Sequence, residues 1–496
     1  FDWIWMEYAQ MSYIVKSDRA FSAAFWCLIG LLTGDTASSG FWNVYFADFQ
    51  LLHDDNDIQL NGRPVCQLEQ ADDGAIFMTY VPKLQGKIDI FYLWLRCKFM
   101  FISPSKSKYM IFGPLPAILP VLCVGEGIVE LVPKFKYVGM WFTSTHRNMF
   151  MAHYADKASK ARKVANTTFG TVKGGHLDSL PVKEGLRLYM AWVDCYLISG
   201  GEISLDIDES LLEEHVKVQQ LFLRNLLGLN PASMCAILYT ETGQTLIKVR
   251  CLLRALSRLR YLLAIPASED RIVWDALLHS FLLYRSGKPC WIGDITLVLS
   301  RLPSPIHVTE DDLHDDKMVQ DIMEWVEAVL DADLQGDIDT FMRTHLLCDR
   351  VERIDESEGK YHMGHGTRRH RHYLDVPIPT HWKALTLLML SDHNLSVERL
   401  RYPGCYRAAV PRDLQLCRFC HAGVEDESHA LLVCKAHGSL EPLRDTFLRE
   451  IADTAGGFEG KWSPNGAYKF LKWLLSVRKI TLRLAKFPRS HGRCVP

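Results

Sequence analysis

Two neighbouring aspartates, Asp72 and Asp73, stand in the stretch QADDGAIF between two short apolar runs. An Asp-Gly pair between such runs predicts a tight β-hairpin, with strands over about 65–70 and 75–80. A hairpin between buried strands can hold two adjacent carboxylates at one fixed point, and Mg²⁺ prefers oxygen ligands. Enzymes that join nucleotides use two such ions, one at the attacking hydroxyl and one at the triphosphate. The pair is therefore a candidate magnesium site, although an isolated ADDG stretch is in most proteins only a turn.

A second set combines three cysteines and one histidine in the stretch LCRFCHAGVEDESHALLVC. Its members are Cys417, Cys420, His429 and Cys434. Three thiolates and one imidazole form the donor set of a closed, tetrahedral structural Zn²⁺ site, and C-x2-C pairs usually mark metal or redox sites. The pattern predicts the first two ligands on a turn and the other two on an amphipathic helix that begins near Asp426. His421 and His437 are alternative ligands, and four reduced side chains that bind no metal are the competing interpretation.

The aspartate pair is one of four segments whose order and spacing resemble the palm of a reverse transcriptase. The other three are GDTASSGFWNVYF at 34–46, KSKYMIFG at 106–113 and FKYVGMWF at 135–142. The palm resemblance covers 25–142. The Cys/His stretch, over about 405–450, resembles the module that follows the polymerase domain in LINE-type (non-LTR) retrotransposons. Several segments are most similar to fungal elements of this kind.

This resemblance implies RNA-directed DNA synthesis, with an RNA template, a DNA primer and deoxynucleotide triphosphates as partners. The residues that it implies for catalysis are Asp72 and Asp73, which would hold Mg²⁺, and Lys106, which would lie near the nucleotide phosphates. The residues that would lie against the template and the incoming nucleotide include Gly34, Asp35 and Ser38. The stretch 137–139 matches the hairpin that supports the primer strand in relatives.

The chain also departs from the family pattern. The residue two before the first aspartate is usually aromatic, and here it is Gln70, while Thr36 and Ser39 replace two prolines and loosen the turn. The family needs a further aspartate on a strand well upstream of Gly34. Asp18 is too near for this role, with only 15 residues between it and Gly34, and fits an exposed turn. We therefore expect a C-terminal fragment that lacks the fingers and the first catalytic aspartate and does not polymerise.

The net charge of −2 over 496 residues is unevenly distributed. Residues 310–339 carry twelve acidic side chains and one lysine, a local charge of −11 that leaves +9 on the rest. A basic surface for nucleic acid is compatible with this, and so is an even, solvated distribution. Four basic residues share one predicted helix where the family's thumb grips the duplex through its phosphates; the alternative is a solvated helix face. They are Lys157, Lys160, Arg162 and Lys163.

The whole pattern predicts an α+β partial polymerase palm followed by a mainly α-helical thumb and connector and a small zinc-binding module. We expect the palm over 1–142, a helical thumb-like region over 143–295, an acidic helical connector and linker over 296–395, and the zinc module with a C-terminal helix over 396–496. Helices are predicted over 41–52, 84–101, 154–169, 181–197, 211–229, 246–263, 319–330, 338–347 and 468–484. Residues 286–316 are predicted to be mostly loop, and 355–380, including the basic run 368–372, an exposed linker.

Fourteen cysteines without a small-domain disulfide framework indicate reduced thiols. No signal peptide or membrane-spanning run is visible, so the sequence predicts an intracellular protein of the cytoplasm or nucleus with no membrane partner. The oligomeric state is left open. The competing function class is a non-catalytic nucleic-acid-binding zinc protein, and a third is a retroelement relic without activity.

Overall fold

The computed structural model describes residues 9, 11–18, 20–26, 37–174, 180–231, 233–266, 271–348, 350, 367–404, 407–436, 438, 440–454, 461–463 and 466–490. The chain divides into two compact units, Phe1–Met149 and Phe150–Pro496. The predicted end of the palm, at residue 142, lies close to this division. The boundaries predicted at 295 and 395 fall inside the second unit.

The first unit consists of short strands, most of them in local hairpins, and two helices. The strands are β1 (Ser12–Tyr13), β2 (Lys16–Ser17), β3 (Ala20–Phe21), β4 (Phe25–Trp26), β5 (Ile58–Leu60), β6 (Arg63–Val65), β7 (Gln67–Gln70), β8 (Asp73–Ile76), β9 (Lys108–Tyr109), β10 (Leu122–Val124), β11 (Gly127–Leu131), β12 (Lys134–Tyr137) and β13 (Met140–Thr143). The helices are α1 (Ser38–Phe46) and α2 (Val81–Cys97). Antiparallel pairs join β1 to β4, β2 to β3, β5 to β6, β7 to β8, β10 to β11 and β12 to β13, whereas β9 runs parallel to β11.

Backbone conformation at the turns explains why these hairpins form. Asn61 and Gly62, between β5 and β6, have φ of 49° and 78°, and Val138 and Gly139, between β12 and β13, have φ of 44° and 79°. Positive φ at both central residues is the type I′ geometry, whose twist matches that of the strands and which favours glycine and asparagine. The hairpin predicted around 137–139 is therefore present.

Helix α2 organises the core of the first unit. On one side, Phe91 and Trp94 pack against a cluster formed by Phe49, Leu51 and Cys66, which Ile76 of β8 also contacts. On another side, α2 packs against the β10–β11 pair through a second small cluster. These contacts attach the base of the β7–β8 hairpin to the helix.

The second unit is helical. Its helices are α3 (Met151–Gly174), α4 (Val182–Leu188), α5 (Asp194–Leu197), α6 (Glu213–Leu227), α7 (Ala236–Thr242), α8 (Ile247–Ala264), α9 (Arg271–Arg285), α10 (Trp291–Ser300), α11 (Glu310–His314), α12 (Asp316–Thr340), α13 (Pro379–Met389), α14 (Ser396–Arg399), α15 (Leu440–Ala452), α16 (Ala467–Ser476) and α17 (Thr481–Ser490). π turns cover Tyr189–Val193 and His429–Val433, and 3₁₀ turns cover Met342–Thr344, His372–Asp375, Arg412–Leu414 and Arg478–Ile480. One hydrophobic core runs through the unit, from Tyr154 to Phe487, and it includes Leu431 beside the Cys/His stretch.

The prediction that 286–316 is mostly loop is wrong. Helix α10 occupies Trp291–Ser300, and its face of Ile292, Ile295 and Leu299 is buried. Helix α11 follows, with Thr309 and Asp312 in a reciprocal capping box. The glycine and prolines that suggested a loop flank these helices and do not lie inside them.

In place of the two helices predicted over 319–330 and 338–347, the structure has one continuous helix, α12, that ends at Thr340, and a 3₁₀ turn, Met342–Thr344, lies beyond it. Buried apolar residues recur along its whole length at helical spacing. They are Val319, Ile322, Val326, Leu330, Leu334 and Ile338. Packing of this stripe carries the helix through the exposed Gly336, where local propensity alone favours a break.

The predicted linker over 355–380 is also corrected where it is described, from residue 367 onward. The side chain of Arg368 pairs with Asp331, and the side chain of Arg371 is buried. Tyr373 donates a hydrogen bond at 2.9 Å to the carboxylate of Glu241, which is fully buried. Residues 368–372 therefore pack at the edge of the core and do not form an exposed linker.

Glu241 is the anchor of this region. Arg350 binds its two oxygens at 2.9 and 2.7 Å, and the backbone amide of Arg371 donates to its carbonyl at 3.0 Å. Arg350 and Arg371 together hold the pKa of the Glu241 carboxyl at about 2, against the opposing effect of burial.

Within the described residues, no helix has both the length and the apolar character needed to cross a membrane.

Candidate metal centre and aspartate hairpin

The predicted aspartate hairpin is present, with a shifted turn. Residue Gln70 at the end of β7 pairs with Asp73 at the start of β8, so the two turn residues are Ala71 and Asp72. The Asp-Gly turn expected at 73–74 is wrong, since Gly74 lies in the strand opposite Glu69. The strands were expected to be buried, but β7 and the first half of β8 are largely exposed. The two carboxylates therefore stand at an exposed tip.

A second hairpin lies against the first. The hydroxyl of Tyr137, at the end of β12, donates a hydrogen bond of 3.2 Å to the carbonyl of Leu68 in β7. Partial burial raises the pKa of Tyr137, and the charges of Asp73 and Glu69 raise it further. Two of the four palm-like segments are therefore neighbours in space.

The other palm-like residues add little to a metal site. Gly34 and Asp35 lie outside the described residues, and Ser38 is the first residue of α1. Lys106 is exposed in a turn, where its amide bonds to the carbonyl of Ser103 at 3.1 Å. Asp18 lies in the turn between β2 and β3 and is exposed, as expected.

Asp72 and Asp73 have no third ligand in the described part of the chain that could share a metal ion with them. Two groups of three or more His, Cys, Asp or Glu come close enough together there, and neither includes this pair. Two-metal catalysis needs ligands for two ions about 4 Å apart. Among the described residues, Asp72 and Asp73 alone do not make up such a ligand set.

The Cys/His stretch forms a compact group of ligand atoms. The Sγ atoms of Cys417 and Cys434 are 3.7 Å apart, and Sγ of Cys420 lies 3.3 Å from Nε2 of His429. All four ligand atoms lie within 4.8 Å of one another. A tetrahedral zinc site with Zn–S of about 2.3 Å and Zn–N of about 2.0 Å places its ligands at such separations. The residues present therefore fit Zn²⁺.

The alternative ligands do not compete in the described part of the chain. His421 is exposed, with φ of 53°, and it does not belong to the group. Its amide instead donates to the carbonyl of Cys417 at 2.9 Å and closes the C-x2-C turn. His437 lies outside the described residues.

The first two ligands lie on a tight turn, as predicted. The amide of Cys417 bonds to the carbonyl of Gly423 at 2.8 Å, which folds the loop back on itself. Burial raises the pKa of the Cys417 thiol to about 11, although hydrogen bonds from the amides of Phe419 and Cys420 to its sulfur oppose this effect. A β-carbon on Gly423 would lie 3.2 Å from the ring of His429, so glycine leaves room for the imidazole.

The other two ligands were predicted on an amphipathic helix that begins near Asp426. The structure instead has a π turn, His429–Val433, which His429 begins and which Cys434 directly follows. The amide of Cys434 donates to the carbonyl of His429 at 2.9 Å, a bond between residues five apart. Asp426 accepts hydrogen bonds from the amide of His429 at 2.8 Å and from the hydroxyl of Ser428 at 2.9 Å. This carboxylate caps the turn that carries both ligands.

Two buried carboxylates beside the ligands were not predicted. Glu425 binds Nε of Arg418 at 2.9 Å and the hydroxyl of Ser396 at 2.6 Å. Its side chain is fully buried. The sequence suggested only a charged helix start for 425–427, because Ser396 lies 29 residues away in sequence.

Glu427 links the same loop to the segment 391–393 and to His345. It contacts Nε2 of His393 at 2.8 Å, Nε2 of His345 at 3.2 Å and the hydroxyl of Ser391 at 3.1 Å. Hydrogen bonds from His345 and His393 hold the pKa of Glu427 well below its usual value, although burial opposes them. The loop that carries the Cys/His group, 417–434 and called the metal loop below for its possible ligands, is therefore fastened to the helical body by a network of buried polar groups.

The four predicted phosphate-binding residues lie on α3, and salt bridges engage some of them. Lys160 binds Asp156 at 2.7 Å, and Arg162 binds Glu214 of α6 at 2.7 Å. Lys157 is half-buried, and Lys163 is exposed on the outer face of the helix. Lys163 is therefore the best placed of the four to meet a phosphate.

Arginines of the same unit pair with some of the twelve acidic side chains of the segment 310–339. Arg260 binds Asp316 at 2.9 Å, and Arg285 binds Glu310 at 2.6 Å. Arg368 pairs with Asp331 in the same way. These basic side chains are therefore engaged within the fold, and the excess positive charge outside the acidic segment is smaller at the surface than composition suggests.

The second close group of possible ligands is His53, Asp57 and Cys66 in the first unit. The ammonium of Lys87 lies 2.5 Å from Asp57, and both side chains are buried. A cation of the protein itself therefore occupies the position where a metal ion would bind. This group fits a structural ion pair.

No protein-family model matches the chain, and no curated protein is significantly similar to it. The function of the chain must therefore be inferred from the geometry of the hairpin and of the Cys/His centre.

Proposed function

We propose that this chain is part of a LINE-type reverse transcriptase. The observation that carries the proposal is the contact between the aspartate hairpin and the second hairpin, through the hydroxyl of Tyr137 and the carbonyl of Leu68. In the resemblance, the first hairpin holds Mg²⁺ and the second supports the primer. Their adjacency supports a common origin in a polymerase palm.

The reaction of that class is RNA-templated addition of deoxynucleotides to a primer. Mg²⁺ would be held by Asp72 and Asp73, and it would neutralise the charge that develops on the triphosphate. This stretch of chain offers two adjacent carboxylates at the tip of one hairpin, so it would supply one side of the site. We therefore expect the chain itself to bind nucleic acid without extending a primer.

Primer extension tests the catalytic half of this proposal. With an RNA template, a DNA primer and Mg²⁺, the chain should give no extension above background. Extension that disappears in Asp72→Ala would show that the metal site is complete. Asp18→Ala, in an exposed turn, is the matched control for loss of an aspartate.

Binding to an RNA–DNA duplex tests the nucleic-acid half. Removing one phosphate contact, in Lys163→Ala, should weaken binding equally for all sequences and lower the slope of log affinity against log salt by about 1. Lys217→Ala is the control, because this lysine pairs with Glu213 and Glu214. Absence of any duplex binding at low salt would contradict the proposal.

We further propose that the Cys/His centre binds one structural Zn²⁺. The separations of 3.7 Å between two sulfurs and 3.3 Å between sulfur and imidazole support it. All four tetrahedral positions would be occupied by protein, so no position is left for water or substrate. The ion would stabilise the loop and take no part in chemistry.

A non-catalytic nucleic-acid-binding zinc protein is the second candidate. It is favoured by the fact that the metal loop is integrated in the core of the second unit, whereas the hairpin has no third metal ligand among the described residues. The effect of Mg²⁺ on the affinity for the RNA–DNA duplex distinguishes the two candidate functions. If Asp72→Ala abolishes a Mg²⁺-dependent gain in duplex affinity, the polymerase origin is favoured; if Mg²⁺ has no effect, the second candidate is favoured.

A further inference from the structure

The spacing of His429 and Cys434 suits a π turn and not an α-helix. At about 100° per residue, side chains five apart on an α-helix point about 140° away from each other. In the π turn His429–Val433, the amide of Cys434 bonds to the carbonyl of His429 at 2.9 Å, so these two positions are stacked one above the other. Both side chains can then reach one ion, and the four ligand atoms lie within 4.8 Å.

A single π turn leaves buried carbonyl groups beyond it without helical partners. Arg444 of α15 satisfies two of them: its Nε donates to the carbonyl of Leu431 at 2.9 Å, and its Nη2 donates to the carbonyl of Cys434 at 2.9 Å. Arg444 is itself buried, with 5% of its surface exposed. A charged side chain so placed is costly unless its donors are used, and here they bind the segment that carries two ligands.

We propose that Arg444 is the positioning residue of the metal centre. Its planar guanidinium donates to two carbonyls at once, which closes the π turn and keeps His429 and Cys434 on one face for the same ion. The inference rests on the proposed zinc centre. Arg444 does not touch the ion; it acts through the backbone of the ligand segment.

Loss of the two hydrogen bonds from the Arg444 guanidinium should lower the affinity of the centre for metal. Without the two donors, the turn can relax toward ordinary helical bonding between residues four apart, which rotates the thiol of Cys434 away from the imidazole of His429. Groups that orient metal ligands from outside the coordination sphere typically change affinity by about 10–100-fold. An effect in this range is expected for Arg444→Met, which keeps the length of the side chain and removes the donors.

The test uses the full chain and two matched variants. Zn²⁺ affinity is measured by competition with a chromogenic chelator for the wild type, Arg444→Met and Arg449→Met. Arg449 lies on the same helix, is exposed and serves as the control. We expect affinity about 10–100-fold weaker for Arg444→Met and unchanged for Arg449→Met.

The visible absorption spectrum of bound Co²⁺ provides a second measurement. A purely structural role of Arg444 would leave this spectrum unchanged. In the wild type, Co²⁺ should give the intense visible bands of a tetrahedral site with sulfur ligands. In Arg444→Met these bands should weaken and shift while the circular dichroism of the helices is retained. Arg444→Lys, with one point donor, should lie between the two, and it decides the question if the methionine variant does not fold.

The outcomes separate the two proposals. If the wild type binds neither Zn²⁺ nor Co²⁺ at this centre, the zinc proposal fails and the role of Arg444 fails with it. If the wild type binds and the folded variants bind equally well with the same spectrum, only the inference about Arg444 is overturned.

Discussion

At the scale of single residues, His215 on α6 stands out. It is fully buried, packs edge-on against Tyr154 at 5.2 Å, and neither of its ring nitrogens has a hydrogen-bond partner in the described part of the chain. Burial lowers the pKa of His215 to about 4 from 6.5, and the neighbouring His153 adds to the shift. The unfolded chain therefore binds a proton between pH 6.5 and 4 that the folded chain does not bind.

We predict that His215→Phe makes the protein less sensitive to acid. Because the folded-state pKa lies below the unfolded one, the contribution to stability is complete above about pH 6.5 and is lost as the pH falls toward about 4. At about pH 5 the wild type should have lost about 2 kcal/mol through this residue, and the variant should not. Urea unfolding at about pH 7 and about pH 5 measures the difference. His307→Phe, at an exposed position, is the matched control for replacement of a histidine by phenylalanine.

Equal pH dependence of the wild type and His215→Phe would contradict this account. It would mean that the imidazole is hydrated or paired in solution. At neutral pH the variant should be at least as stable as the wild type, since it removes two buried polar atoms without partners.

Residue types and spacing were sufficient to predict the four members of the Cys/His group, because a C-x2-C turn and a nearby helical turn bring them together locally. They were insufficient for Glu425, Glu427 and Arg444. The hydroxyl that binds Glu425 and the imidazole that binds Glu427 are 29 and 34 residues away in sequence. The local sequence does not show whether a glutamate side chain is buried or solvated, because tertiary packing determines its burial.

At the scale of elements, the turn of the aspartate hairpin differs from the turns of the β5–β6 and β12–β13 hairpins in having no glycine. The turns at 61–62 and 138–139 each contain a glycine, whereas Ala71 adopts φ of 55° in the β7–β8 turn. A residue with a β-carbon in this left-handed region costs roughly 1–2 kcal/mol relative to its preferred conformation. The hairpin that carries the carboxylates is thus held in place by its surroundings, including the contact with Tyr137.

We predict that Ala71→Gly stabilises this hairpin by about 0.5–1 kcal/mol, the relief of φ strain being partly offset by the greater freedom of glycine in the unfolded chain. Hydrogen exchange of the amides in β7 and β8 should slow accordingly. Gly139→Ala, at φ of 79°, should have the opposite effect on β12 and β13. Faster exchange in Ala71→Gly would show that the left-handed conformation carries no strain.

Element prediction succeeded where pattern and end signals agreed. The helix predicted over 211–229 is α6, and it ends at Gly228, whose φ of 69° fits a left-handed cap. It failed over 286–316, where prolines flank a helix whose buried face was not weighed, and at Asp73-Gly74, where pairing of Gly74 with Glu69 fixes a different register. In both places long-range packing, absent from local sequence, decided the outcome.

At the scale of the whole molecule, the Cys/His group lies beside the hydrophobic core of the second unit. Leu431, two residues after His429 in the π turn, lies in the same core as Trp382 of α13 and Phe470 of α16. Glu425 and Glu427 add polar links to 391–396 and to His345. Removal of the metal should therefore be felt well beyond the ligand loop.

We predict one Zn²⁺ per full chain, lost in Cys420→Ser and retained in Cys195→Ser, whose cysteine is exposed and outside the group. Structural zinc supplies on the order of 10 kcal/mol in zinc-finger peptides, so its loss should destabilise the surrounding core. Hydrogen exchange should accelerate over 415–434 and 391–398. The first unit should exchange as before, since it has its own core clusters. Metal content and exchange after chelation provide the measurement.

Two results would contradict this prediction. Absence of zinc from the wild type would leave only reduced cysteines at this position. Acceleration confined to 415–434 would show that the buried carboxylates do not couple the loop to the rest of the unit.

The buried carboxylate of Glu241 has a consequence for the tolerance of the chain to cutting and lengthening. Arg350, just before residues 351–366, and Tyr373, soon after them, both bind this one side chain. The described residues on either side of that stretch are therefore fixed to the core through Glu241. Doubling the length of a connection between two fixed points costs only about 0.6 kcal/mol. Inserted residues should thus be accommodated there, and two polypeptides separated at this point should reassemble around Glu241 as complementary fragments.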